Sequence, residues 1–505
     1  MQNLAQLVKL VGLFLSALGL WAQAPVYPNR WVYVSRGLQS DRQVEDIRAI
    51  ARTASEHGLN GMVLTGLDQL DSPSAEYLKR LEQVKAIAKQ YSLEIIPIIY
   101  SAGYGGAIYR HNRNLAEGLP VRDAVFVAHN GEARLPAQAA AGLVNGGEVA
   151  VKPYHSYRVT LRVKTEGLGA RGSFRVQIRA ADDRSLAPWD PQVPATSDWR
   201  TVTLGFNSGG YDKVSISAGA GTGSGGKFWV EDLRLEEAGL VNVLRRPGTP
   251  LSVRSEKTGT VYEEGRDYAP IAEPQLTFRF DHDGPSIRIL PGSRIAEGER
   301  LRVSYYHGMG VNRGQVTVCM SEPEVYEIWR QQARAIHENL RPRQYLLSMD
   351  EIRAGGSCQA CKNRGISMAQ ILGDCLTRQF RMIRELNPQA EIWVWSDMLD
   401  PNHNARGNYY LVDGDYSGSW NYIPKDFRIV CWYYERRRES LRHFSSLGFK
   451  TLAGAYYDAD TLDNPRGWLE ALKDTPGALG IMYTTWQNKY QLLGPFGDLL
   501  GVPVK

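Results

Sequence analysis

Trp31-Val-Tyr-Val-Ser35, Gly61-Met-Val-Leu-Thr65 and Glu94-Ile-Ile-Pro-Ile-Ile-Tyr100 are three short apolar runs that punctuate the first hundred residues. Helical periodicity fills the spaces between them. Val44, Ile47, Ile50 and Ala54 fall on one helical face, and a second helix is predicted from about Pro73 to Tyr91. Strands alternating with helices imply βαβ units and a parallel sheet. The same rhythm returns at Ser321. There Ser321 and Glu324 stand at a capping-box spacing before a helix carrying Val325, Ile328, Trp329, Ile336 and Leu340. Strand candidates follow at 344–349, 391–396, 428–434, 450–456 and 479–485. Eight strands in all predict an α/β fold, a (β/α)₈ TIM barrel interrupted after its third strand. No helix is legible between residues 398 and 427, and the helix after strand eight is short.

The interruption has a different texture. Tyr157, Val159, Leu161 and Val163 alternate with polar residues, as do Phe174–Ile178, Trp199–Leu204 and Val214–Ile216. A glycine-rich turn, Gly219 to Gly226, then leads into Phe228–Leu235. This pattern predicts a β-sandwich. A further β-rich piece ends in Leu301-Arg-Val-Ser-Tyr-Tyr306. The division read from these shifts is a first barrel part over 25–125, a sandwich over 126–239, a small β-rich module over 240–310 and a second barrel part over 311–505. Residues 1–24 read as a signal peptide: Lys9, an apolar run from Leu10 to Leu20, then Ala22-Gln23-Ala24. The run is too short for a membrane span. The expected product is exported, periplasmic or extracellular, with no membrane span in the mature chain. No Cys precedes Cys319, which argues against a lipid anchor at the mature start.

Composition narrows the function classes. The 505 residues are 43% hydrophobic and 22% charged, with 50 Gly and 25 Pro, which excludes disorder and collagen-like repeats. The net charge of +5 comes from 59 basic and 54 acidic residues with no long basic run, so no nucleic-acid partner is expected. Twenty-six Tyr and 12 Trp outnumber 12 Phe, and such amphipathic rings suit a wet stacking surface as well as a core.

In a barrel of this type, catalytic groups sit at the C-terminal ends of the strands. Those ends carry Arg36; Tyr100-Ser-Ala-Gly-Tyr-Gly-Gly106; Asp350-Glu351; Trp395-Ser-Asp397; Trp432; Tyr456-Tyr-Asp458; and Trp486-Gln487. Carboxylates ringed by Tyr and Trp describe a sugar pocket. Glycosidic cleavage needs a proton donor at the leaving oxygen and a carboxylate that stabilises developing positive charge. An oligosaccharide or polysaccharide is the expected partner, and no cofactor is implied.

This strand-end set resembles glycoside hydrolase family 20, the β-N-acetylhexosaminidases. The residues that carry the resemblance are Arg36, Asp350, Glu351, Asp397, Tyr457, Asp458 and Trp486. It implies retaining, substrate-assisted hydrolysis, in which the substrate's own acetamido oxygen attacks the anomeric carbon. Asp350 would orient and stabilise the acetamido group, and Glu351 would be general acid and then base. Tyr457 would hydrogen-bond the acetamido carbonyl, and Arg36 and Asp458 would bind ring hydroxyls. Trp395, Asp397, Trp432, Trp486 and Gln487 complete the expected substrate-binding set. The sequence departs from the family's pattern at Ser348-Met349, where the family has Gly-Gly. It also departs at Pro97–Tyr104, which lacks the family's Glu, Asp and His, and at Gln487, where an acid is common. The inserted sandwich resembles the carbohydrate-binding modules of families four and nine at Trp229-Val-Glu-Asp-Leu233. A glycosidase of the same clan acting on a sugar without the acetamido group stays open, as does a non-catalytic carbohydrate-binding protein.

Cysteines carry a second signal. Cys358 and Cys361 form a C-x₂-C pair just after the acidic dipeptide, and Cys375 follows. Two thiolates at this spacing suit zinc, but a full structural site needs four ligands. A disulfide or free thiols are therefore expected and no metal ligand is assigned. Cys319 and Cys431 read as ordinary small apolar residues.

Overall fold

The structure, a computed structural model, describes residues 27–501 apart from 137–140, 170–173, 190, 222–224 and 313. The expected signal peptide lies outside the described residues. Eight parallel strands close a barrel: β1 (Asn29–Val34), β2 (Gly61–Leu64), β3 (Glu94–Ile99), β4 (Gln344–Leu347), β5 (Glu391–Trp395), β6 (Arg428–Cys431), β7 (Lys450–Tyr456) and β8 (Ala478–Thr484). Pairing of β1 with β8, Asn29 opposite Gly480, completes the ring. Helices cover the outside: α1 (Asp41–Glu56), α2 (Ala75–Gln90), α3 (Pro323–Leu340), α4 (Met368–Leu386), α5 (Arg437–Ser446), α6 (Asp463–Lys473) and the short α7 (Leu493–Asp498). Among the described residues, no helix is long and apolar enough to cross a membrane.

The barrel interior is filled by alternate residues of every strand. Trp31, Val63, Ile96, Leu346, Trp393, Trp395, Val430, Leu452 and Met482 form one buried cluster there. The intervening residues, Val32, Met62 and Leu347 among them, pack outward against the helices. Trp31 and Trp393 meet edge to face with ring centroids 5.0 Å apart, and the Trp393 indole donates to Gln344 Oε1 at 2.9 Å. Gly61, opposite Trp31, is needed for this packing. A Cβ there would stand 2.6 Å from the Trp31 ring.

One local expectation is revised. The capping box at Ser321 and Glu324 does not form. Pro323 occupies the first turn of α3, the helix is entered from Glu322, and the Ser321 hydroxyl is buried without a partner. Proline's fixed φ favours that first-turn position and so moves the helix start. A complete capping box lies instead at α4, between Ser367 and Gln370. Between β5 and β6 the chain forms no α-helix. It carries two short 3₁₀ turns and a strand, Leu411–Val412, paired in parallel with Ala354–Gly355 after β4.

The interruption leaves the barrel after β3 through a stem. Ala116 bridges Val318 antiparallel, Glu117 N donates to Thr317 O at 2.7 Å, and Cys319 N donates to Leu115 O at 2.9 Å. Beyond the stem, strand Leu119–His129 pairs with Arg300–His307 inside a six-stranded sheet. The alternation of Val121, Ala124, Phe126 and Ala128 makes that strand continuous, so the boundary read at 125/126 falls within it. Two four-stranded sheets between residues 141 and 237 bury a shared core that includes Val159, Leu161, Val176 and Ile178. Their loop at Arg184 reaches the barrel, donating to Tyr410 O at 2.8 Å and Val412 O at 2.5 Å.

Trp393→Ala should test the interior packing. Deleting a fully buried Trp typically costs about 3–5 kcal/mol, read as a shift of the barrel's unfolding midpoint in denaturant. A loss below about 1 kcal/mol would contradict a close-packed interior.

Candidate active site

The C-terminal end of β4 runs into Ser348-Met-Asp-Glu351, and Glu351 adopts a left-handed backbone conformation with φ +50°. A non-glycine residue in this region carries strain and needs surrounding contacts to hold it. Those contacts are present on every side. Glu351 N donates to Asp397 Oδ2 at 2.8 Å, and Glu351 O accepts from Gln315 Nε2 at 2.9 Å. Gly103, after β3, passes so close that a Cβ there would stand 2.1 Å from Asp350 O.

The Glu351 carboxylate is about 21% exposed and engaged at both oxygens. Arg353 Nη2 lies 2.7 Å from Oε1, and the Tyr104 hydroxyl donates to Oε2. Arg353 is itself buried, bonded to Gln315 Oε1, with its guanidinium 5.1 Å from the Tyr410 ring. Neither Tyr104 nor Arg353 was singled out from the sequence. Tyr104 stands where the resembled family's segment ends in His.

Asp350 accepts from the Ser348 hydroxyl at 3.0 Å. It keeps some accessible surface, but burial is the larger influence and pushes its carboxyl up to about 7, followed by the negative charges of Asp397 and Glu351. Asp397 is fully buried and raised to about 6, also by burial first. Its Oδ2 accepts from Glu351 N and from Asn404 Nδ2 at 2.9 Å, while Oδ1 accepts from the Trp432 indole at 3.4 Å. Asp397 therefore holds Glu351 and Trp432 in place.

Three tryptophans stand together in a triangle. The ring centroids of Trp395, Trp432 and Trp486 are 6.0 to 6.3 Å apart, and Tyr33 of β1 joins them 5.5 Å from Trp486. Trp395 is buried, Trp432 half-buried, and Trp486 is 47% exposed. His403 adds an imidazole 4.7 Å from Trp432 and stacked on Tyr433 at 4.5 Å. Burial lowers its pKa to about 4, which keeps it neutral. Tyr33 and His403 were also not read from the sequence.

Other strand-end residues are placed differently from expectation. Tyr456, Tyr457 and Asp458 all have positive φ, which turns the last two side chains back into the structure. The Tyr457 hydroxyl lies against the carbonyl oxygens of Trp432 and Gly454. Asp458 accepts from Trp486 N at 2.7 Å, Gln487 N at 3.1 Å and the Thr485 hydroxyl, which fixes the loop bearing Trp486. Gln487 is exposed beside it. Arg36 pairs with Asp46 at 3.0 Å and bonds Asn488. All five cysteines are free and buried, the second of the two states expected from the sequence, and Cys319 lies against Cys358 and Cys361.

Glu351 and Arg353 also border a cleft of about 520 Å³ whose other wall is Arg175, Gln177, Arg179 and Arg184 of the insertion. The barrel mouth thus offers a carboxyl pair, an aromatic wall and a polar cleft.

Solved hexosaminidases are similar to this chain. A β-N-acetylhexosaminidase from Bacteroides fragilis NCTC 9343 is 9% identical over 92% of this chain and 61% of its own, with a TM-score of 0.39. A GH20 exo-β-N-acetylglucosaminidase from Vibrio harveyi is 10% identical over 92% and 50%, with a TM-score of 0.37. A chitobiase from Flavobacterium johnsoniae is 8% identical over 95% and 52%, with a TM-score of 0.36. The chain therefore spans only half to three-fifths of the length of these proteins. No protein-family model matches the chain, and no curated protein does.

The raised pKa of Asp350 sets a pH dependence. The folded state holds this proton more tightly than the unfolded chain, so stability falls as pH rises from about 4 to about 7 and the penalty is complete above that. Asp350→Asn removes the penalty. The variant should match the parent in denaturant midpoint near pH 4 and exceed it near pH 8, whereas an equal difference at both would contradict the assignment.

Proposed function

We propose that the chain is an exported glycoside hydrolase that cleaves β-linked N-acetylhexosamine-type glycosides with retention, assisted by the substrate's acetamido group. The observation that carries this reading is the Asp350–Glu351 pair at the barrel mouth. Two adjacent carboxyl groups in different environments stand there beside a triangle of tryptophans. The leader-like residues 1–24 support export.

The chemistry follows from these environments. The acetamido oxygen attacks the anomeric carbon, the glycosidic C–O bond breaks, and Glu351 gives its proton to the leaving oxygen. The cyclic intermediate carries positive charge on its ring nitrogen. Burial, then the charges of Asp397 and Glu351, raises Asp350, and a positive charge developing beside it favours its ionised form. Glu351 then takes a proton from water, which attacks the anomeric carbon and reopens the ring. The tryptophan triangle offers apolar faces to the sugar and the acetamido methyl, with Trp486 on the solvent side. Asp397, Tyr104 and Arg353 position Glu351, and Asp458 positions Trp486. Arg36, Gln487 and the arginines of the insertion border the region where further sugar units would lie.

One observation favours a second reading. Both carboxylate oxygens of Glu351 are already engaged, Oε1 by Arg353 and Oε2 by the Tyr104 hydroxyl. Asp350, which keeps its proton to about pH 7, would then be the donor, and the substrate need not carry an acetamido group.

Leaving-group dependence separates the two. Glu351→Gln should lower kcat/KM about 10²–10⁴-fold on a glycoside with a poor leaving group. It should leave release of dinitrophenol, which needs no proton, nearly unchanged. If Asp350→Asn shows that pattern instead, the second reading replaces the first.

A further inference from the structure

The insertion's stem and the loop after β4 bring four residues distant in sequence to one buried point. Glu117 lies on the outgoing strand of the stem and Cys319 on the returning one, while Cys358 and Cys361 follow β4. All four are buried, at 4%, 0%, 0% and 3% exposure. Cys319 Sγ is 3.4 Å from Cys358 Sγ and 3.8 Å from Cys361 Sγ. Glu117 Oε2 is 3.7 Å from Cys358 Sγ and 3.6 Å from Cys361 Sγ. All four donor atoms lie within 4.8 Å of one another.

These separations are those of a coordination tetrahedron. With Zn–S near 2.3 Å and Zn–O near 2.0–2.2 Å, the tetrahedral edges are about 3.8 Å between sulfurs and about 3.5 Å from sulfur to oxygen. The carboxylate is already oriented for the task. Its Oε1 accepts from Ser357 N and Cys358 N, both at 3.0 Å, which leaves Oε2 facing the sulfurs. Such outer bonds fix the orientation of metal-bound carboxylates. The neighbouring cation, Arg246, spends its donors elsewhere: on Glu322 at 2.5 Å and on the carbonyls of Asn114 and Ala116, both at 2.7 Å. A buried acid among three thiols therefore has no bonded cation of its own, and carboxylate and thiolates can be ionised together at such a buried point only around one.

We propose that Glu117, Cys319, Cys358 and Cys361 form a closed structural zinc site that staples the stem of the insertion to the loop following Glu351. Soft thiolates select zinc over magnesium or calcium, and four protein ligands leave no open position for catalysis. Binding displaces the thiol protons, so the metal is held by thiolates and affinity rises with pH. The C-x₂-C pair was visible in the sequence; its partners at 117 and 319 became visible only when the stem closed.

The test is metal analysis of the full chain, reduced, equilibrated with excess zinc and desalted, without any metal-affinity step. One zinc per chain is expected, and a strong chelator should lower the unfolding temperature by several degrees, reversed by adding zinc back. Denatured in chelator without reductant, the protein as purified should expose all five cysteines to alkylation. Zinc below a tenth of an equivalent, or two of these cysteines protected until reductant is added, would overturn the proposal. Cys361→Ser should lose the metal, while Cys375→Ser, outside the cluster, keeps it. If Cys361→Ser does not fold, cobalt-loaded parent protein decides. Thiolate-to-cobalt charge-transfer bands with tetrahedral d–d bands support the site, and an octahedral spectrum without them overturns it.

Discussion

The 2.8 Å bond from Glu351 N to the buried carboxylate of Asp397 holds together everything at the barrel mouth. Glu351 sits in a left-handed conformation that an ordinary residue adopts only under constraint. Asp397 supplies the constraint from the end of β5, and its other oxygen accepts from the Trp432 indole at the end of β6. One carboxylate thereby ties three consecutive barrel strands to a single arrangement. It does so at a cost, because burial, with the charge of Glu351 adding to it, raises its own proton affinity. A cost of this kind, concentrated at one end of a barrel, is characteristic of functional sites.

The same economy extends to the insertion. The stem leaves and returns next to the loop that follows Glu351, and Gln315, two residues before Thr317 of the stem, bonds both Glu351 O and Arg353. Arg353 in turn meets Glu351 Oε1 and lies over Tyr410, whose carbonyl accepts from Arg184 of the inserted sheets. A continuous chain of polar contacts therefore runs from the insertion to the carboxyl pair. The cleft of about 520 Å³ is bordered on one side by Glu351 and Arg353 and on the other by the insertion.

The barrel was legible in the sequence because each strand is a short apolar run and each helix an amphipathic one. The strand ends were legible because position on a strand fixes which end of the barrel a residue occupies. The direction of a side chain at that end was not. Tyr457 and Asp458 were placed at the mouth from their position, but three successive positive φ values turn them to the backbone of neighbouring loops. Arg36 is drawn aside by Asp46, one turn into α1. Tyr104 and Arg353 carried weak signals, an aromatic in place of a histidine and an arginine two residues after the acid. Glu117 and Cys319 carried none, since some two hundred residues separate them and only the pairing of the stem brings them together.

The central claim is that Asp350 faces a cation made from the substrate's own acetamido group. Inhibition by a thiazoline analogue of the cyclic intermediate, compared with the parent N-acetylhexosamine, tests it most directly. Ligands that mimic a high-energy state gain contacts the ground state lacks, so the thiazoline should bind about 10²-fold or more tightly than the sugar, and Asp350→Asn should abolish most of that margin. Equal inhibition by the two compounds would contradict the account.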